Sequence, residues 1–166
     1  MRTSTLGQFY FGFDYNQFIV YDVSVEVPEC KWTEEHCNQG FARRASVACI
    51  GTLLQYGQGE ATVFFGPYLE QKNYQRVIAL PFHSSTGKVI VQGMMEIYLA
   101  HILFCDRGHY KLYIAQWIAD EEDEREGIHI FFHLQDQPLS KSEIIIADEG
   151  LSPPPILLED AAELSN

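Results

Sequence analysis

Apolar and polar residues alternate along this chain in short runs, each closed by a turn signal, and that period of two restricts most of it to strands. Phe9, Phe11 and Phe13 fall on one side of such a run. Tyr21, Val23, Val25 and Val27 alternate with Asp22, Ser24 and Glu26 until Pro28 ends the pattern. Val47, Cys49, Gly51 and Leu53 lead to Gly57-Gln58-Gly59, read as a turn, after which 61–65 returns as a strand. Residues 74–80 and 88–91 flank Ser84-Ser85-Thr86-Gly87, and 97–104 and 109–118 flank Asp106-Arg107-Gly108. Both pairs read as hairpins, because Gly, Ser and Asp supply the backbone freedom and local hydrogen bonds of tight turns. Ile128, Ile130, Phe132 and Leu134 alternate with His129, Phe131 and His133, and 144–146 is a last short strand. The expected fold class is all-β: a β-sandwich, or a flattened barrel, of about 8–10 mostly antiparallel strands.

One short helix interrupts the strands near residues 33–40. Thr33 can cap it, Glu34 and Glu35 place negative charge at its positive end, and Gly40 can stop it. Trp32, just before the cap, is positioned to staple onto Cys37. At about two turns this helix needs tertiary support to persist. The 166 residues suit one domain, 1–150, followed by a proline-rich acidic tail, 151–166. Pro153, Pro154 and Pro155 favour an extended tail, either disordered or lying along the domain.

Charge is distributed unevenly. Residues 1–111 carry 9 Lys and Arg against 10 Asp and Glu, whereas residues 112–166 carry 2 against 13. Such a field repels nucleic acid and membrane phosphates and attracts basic protein surfaces, so direct nucleic-acid and membrane binding are not expected. Arg2 has no apolar stretch behind it, and no run reaches the 18 or so apolar residues of a membrane span. The expected compartment is the cytoplasm, with Cys30, Cys37, Cys49 and Cys105 reduced and Cys49 and Cys105 packed in strands.

The densest charge is Asp120-Glu121-Glu122-Asp123-Glu124-Arg125-Glu126. It reads either as a solvated loop that blocks edge pairing or as an anionic surface for a basic cleft, resembling a phosphate backbone. On the second reading Asp120, Glu121, Glu122, Asp123 and Glu124, helped by Glu126, anchor a partner. His129 and His133 have a helical ligand spacing, yet on a strand four residues separate them by roughly 13 Å, which makes them ordinary strand residues. Cys30, His36 and Cys37 lack the ligand spacing of a zinc site. Arg43-Arg44 reads either as an anion site or, the favoured reading, as ion pairs with nearby carboxylates such as Glu34, Glu35 or Asp14. No Gly-flanked Ser, Cys–base pair or phosphate loop is present, so neither catalysis nor a metal or other cofactor is expected.

Tyr15-Asn16-Gln17-Phe18-Ile19-Val20, Trp32-Thr33-Glu34-Glu35, Gln39-Gly40-Phe41-Ala42-Arg43-Arg44, Val77-Ile78-Ala79-Leu80-Pro81-Phe82 and Gly108-His109-Tyr110-Lys111-Leu112 occur in this order. In order and spacing they resemble the competence protein J (ComJ) family, over about residues 13–118. The resemblance implies a non-catalytic inhibitor that binds a competence-associated DNA-entry nuclease and blocks it. The alternative is a protein- or ligand-binding sandwich module of another partner. The resemblance assigns no residue roles, so the acidic anchors rest on charge alone.

Overall fold

A computed structural model describes residues 2–13, 16–93 and 101–164. The described residues form two sheets of mostly antiparallel strands and one short helix. The six-stranded sheet runs β1 (Ser4–Phe13), β5 (Gly57–Phe65), β10 (Arg125–Gln135), β9 (Gly108–Asp120), β6 (Arg76–Ser84) and β11 (Glu143–Ile146). The five-stranded sheet runs β3 (Phe41–Arg44), β4 (Val47–Gly51), β2 (Gln17–Asp22), β7 (Lys88–Gly93) and β8 (His101–Phe104). Only the β5–β10 pairing is parallel among the described strands. Facing rows fill the space between the sheets: Phe11, Val63, Ile78, Leu80, Leu112, Ile114, Ile128 and Ile130 from one, Phe18, Val20, Ala48, Ile50, Val89 and Val91 from the other. Each large side chain buried there contributes roughly 2 kcal/mol of apolar burial.

Two expected hairpins turn out to be crossings between sheets. β6 belongs to the six-stranded sheet and β7 to the five-stranded one, so Ser84 to Gly87 carry the chain over the sandwich edge. β8 and β9 are divided in the same way, as are β4 and β5. Turn residues mark a change of direction in either case. The start of the predicted strand at 97–100 lies outside the described residues. Gly57-Gln58-Gly59 is not a turn but the first part of β5, where the ring of Phe11 occupies the place a Gly59 side chain would need.

The predicted strand at 21–27 stops at Asp22 instead. Asp22 is fully buried, and its carboxylate accepts hydrogen bonds from Ser84 Oγ (2.7 Å), Thr86 Oγ1 (2.9 Å) and Ser24 N (3.0 Å). Burial opposes the charge, but these donors outweigh it and hold the carboxyl down at about 2. A carboxylate from one sheet thereby satisfies the polar groups of a loop arriving from the other.

The helix α1 (Glu34–Gln39) forms where Thr33, Glu34, Glu35 and Gly40 place it. His36 completes a capping box: its Nδ1 accepts from Thr33 N (3.0 Å), which leaves Nε2–H to donate to Asp160 O (3.1 Å). Trp32 meets the ring of His36 edge-on and donates to Gln17 Oε1, while Cys37 is exposed. Cys49 is buried within β4, whereas Cys105 lies just past the end of β8, only partly covered.

Residues 151–164 form a strap along α1 and the outer face of the five-stranded sheet. Gln39 exchanges two hydrogen bonds with the backbone of Leu158, Ser152 N donates to Asn38 O, and Lys31 N donates to Ala162 O. The strap also supplies the partners of the arginine pair. Arg43 bonds Glu159 at 3.3 Å and Arg44 bonds Glu163 at 3.2 Å, in place of the expected Glu34 or Glu35. Asp14, the third expected partner, is outside the described residues.

Candidate partner-binding site

The acidic run connects β9 to β10 at one end of the sandwich. Asp120 closes the turn by accepting from Asp123 N at 3.1 Å, and Glu124 turns the chain with a left-handed φ of 50°. Gln58 N donates to Glu124 O at 2.9 Å, which docks the turn on the start of β5. Gly57 makes that approach possible, since a β-carbon there would stand 2.2 Å from Glu124 O at φ 154°. Gly57→Ala is therefore expected to lower stability by about 2 kcal/mol, read as a fall in the thermal midpoint. A melting curve like that of the unchanged protein would show that the turn is not docked in this way.

The six predicted anchors separate into three groups. Arg125 binds Asp120 at 3.2 Å and Glu60 at 3.1 Å, and it lies 3.8 Å from Asp123. Among the described residues no ion pair reaches Glu121, Glu122 or Glu124, which are exposed together with Asp123. One cation thus faces five carboxylates of the turn, and the anionic field persists.

Glu126 departs from the expectation. It is fully buried and cannot touch a partner. Its Oε1 accepts from Leu53 N (2.6 Å) and Leu54 N (3.0 Å), and Oε2 accepts from Gln116 Nε2 (2.9 Å). Leu53 and Leu54 lie in the β4–β5 crossing, so Glu126 serves that loop as Asp22 serves the β6–β7 loop. Desolvation outweighs these donors and raises its pKa to about 7. The carboxyl extends the inward row of Ile128, Ile130 and Phe132, a parity readable in the sequence but masked by the neighbouring acids.

His129 and His133 lie on β10 away from the core row. His129 sits among Phe64, Tyr74, Trp117 and Phe131, with Tyr74 Oη 2.7 Å from Nδ1, and burial lowers its pKa. Among the described residues no three His, Cys, Asp or Glu side chains group to hold a metal ion. No helix among the described residues is long and apolar enough to cross a membrane. A cleft of about 480 Å³ opens near Trp32, Thr52, Arg76 and Asp148. Its cation, Arg76, is engaged by Asp148 through Nε (2.5 Å) and Nη2 (3.0 Å), leaving no free charge to hold a ligand.

A family model described as Competence protein J (ComJ) matches residues 12–135. A crystal structure of ComJ from Bacillus subtilis, described as an inhibitor of the DNA-degrading activity of NucA, superposes with a TM-score of 0.69 at 15% identity, covering 81% of this chain and 100% of that one. A structure described as crocagin biosynthetic gene J gives 0.54 at 9% identity, covering 79% of this chain and 98% of that one. No curated protein matches the chain.

Proposed function

The chain belongs to the competence protein J family, and from that membership we propose that it binds and inhibits a DNA-entry nuclease without turning over a substrate itself. The observation that carries this reading is the match over residues 12–135, which spans the sandwich from the end of β1 to the end of β10 and includes the acidic turn. A nuclease cleft is cationic because it must hold phosphates, and a rigid carboxylate turn competes for the same field. Asp120, Glu121, Glu122, Asp123 and Glu124 are the electrostatic anchors in this account, with Asp120 also fixing the turn. The same field disfavours DNA, RNA and anionic membranes as direct ligands. The assigned site of action is the cytoplasm, in keeping with four free cysteines, two of them buried.

DNA degradation by the source organism's DNA-entry nuclease, measured with increasing amounts of this protein at low and moderate salt, tests the reading. The expected result is inhibition that saturates near one equivalent and weakens as salt rises. Full nuclease activity at low salt with several equivalents present would sink it.

A further inference from the structure

The acidic turn lies beside an aromatic strip on the outer face of the six-stranded sheet. Tyr10 pairs with Glu60, Glu60 with Gly127, and Gly127 with Trp117, so these four positions form one row across β1, β5, β10 and β9. All four positions alternate with inward residues such as Phe11, Ala61 and Ile128. Gly127 is where the indole of Trp117 lies: a β-carbon there would stand 2.1 Å from Trp117 Cε2. Tyr74 flanks that indole with centroids 5.6 Å apart, and His129 meets it edge-on at 4.7 Å. Trp117 is thus held in place before anything binds. Tyr10, on the edge strand of this sheet, is 58% exposed.

Between and beside these rings lie Glu60 and the five carboxylates of residues 120–124, against the single cation Arg125. Aromatic faces attract Arg and Lys, and interfaces draw most of their energy from pre-organised aromatic anchors set inside a polar rim. We propose that the strip from Tyr10 across Glu60 to Trp117, with the acidic turn as its rim, is the docking surface for a cationic loop of a basic protein partner. This rests on the nuclease-inhibitor reading for the partner's identity but not for its chemistry. The turn supplies fast capture, and the rings supply residence time.

Trp117 reports on its own occupancy. In a Trp32→Phe variant it is the sole tryptophan, and its emission is followed while either the DNA-entry nuclease or a hexa-arginine peptide is added at low salt. We expect both to shift the emission and added salt to reverse the peptide's effect. Introducing Tyr10→Ala should weaken nuclease binding at least tenfold, mostly through faster dissociation, whereas Phe104→Ala on the opposite sheet should change it less than twofold. Nuclease that is bound and inhibited with unchanged Trp117 emission and unchanged affinity in Tyr10→Ala would place the interface elsewhere and overturn the proposal. If the nuclease neither binds nor is inhibited, the nuclease reading falls, and the peptide decides the surface by itself. An emission response lost in Tyr10→Ala supports the cationic docking strip, and no response, or one indifferent to Tyr10, overturns it.

Discussion

Glu159→Ala is expected to destabilise the protein by about 3 kcal/mol, because it strands a buried guanidinium. Arg43 has a side chain only 8% exposed, and Glu159 is its ion-pair partner at 3.3 Å. The same carboxylate accepts from Ser142 N (2.7 Å) and Ser142 Oγ (2.5 Å), tying the strap to the segment before β11. Glu163→Ala provides the contrast, since Glu163 is 62% exposed where it meets Arg44. Solvent screens that pair, and its loss is expected to cost below about 1 kcal/mol. Denaturant unfolding of the two variants checks both figures, and equal midpoints would contradict the assignment of Arg43 as a buried charge. Replacing both members, Arg43→Met with Glu159→Leu, should recover the part of the loss owed to the stranded charge but not the part owed to Ser142 N and Oγ, which still lose their acceptor.

The second large effect is a dependence of stability on pH through Glu126. Its pKa is about 7 in the folded protein against an ordinary 4.5, so between those values the folded state holds a proton that the unfolded state has released. Stability therefore falls as pH rises through this window, by on the order of 3 kcal/mol between pH 4.5 and 7.5. Asp22 acts in the opposite sense: its depressed pKa adds stability that is lost only as pH falls from about 4 towards 2. The two windows do not overlap, so they can be read separately. In Glu126→Gln the amide oxygen still accepts from Leu53 N and Leu54 N, while Gln116 Nε2 keeps its bond to Gly51 O at 2.9 Å. That variant should lose the slope between pH 5 and 8. A slope that persists in Glu126→Gln would mean that another group titrates there.

Glu126 and Asp22 also show where the sequence was hard to read. The inward rows were legible from alternation: Ile128, Ile130 and Phe132 on β10, and Phe9, Phe11 and Phe13 on β1. The capped helix was legible because Thr33 and Gly40 act through local backbone geometry. Sheet membership was not, since Ser84-Ser85-Thr86-Gly87 turns the chain equally well within a sheet or between two. Buried carboxylates followed from those crossings. Loops that cross sheets carry backbone N–H groups with no strand opposite, and a carboxylate on the inward row satisfies them. Read as a charge, Glu126 belonged with its acidic neighbours; read by parity, it belonged with Ile128. The strap was hidden for a related reason: its hold comes from Gln39, Arg43 and Arg44, more than a hundred residues earlier in the chain.

Within the turn, Asp120 bonds the backbone and Arg125, whereas Glu121, Glu122, Asp123 and Glu124 project into solvent. Changing those four to Gln or Asn keeps the turn and removes the field. The decisive measurement is the association rate of this variant with the DNA-entry nuclease as a function of salt, beside the unchanged protein. Its association is expected to be at least about tenfold slower at low salt, with a much flatter salt dependence and a dissociation rate nearly unchanged. Equal association rates and equal salt slopes for the two proteins would contradict the role of these carboxylates as anchors.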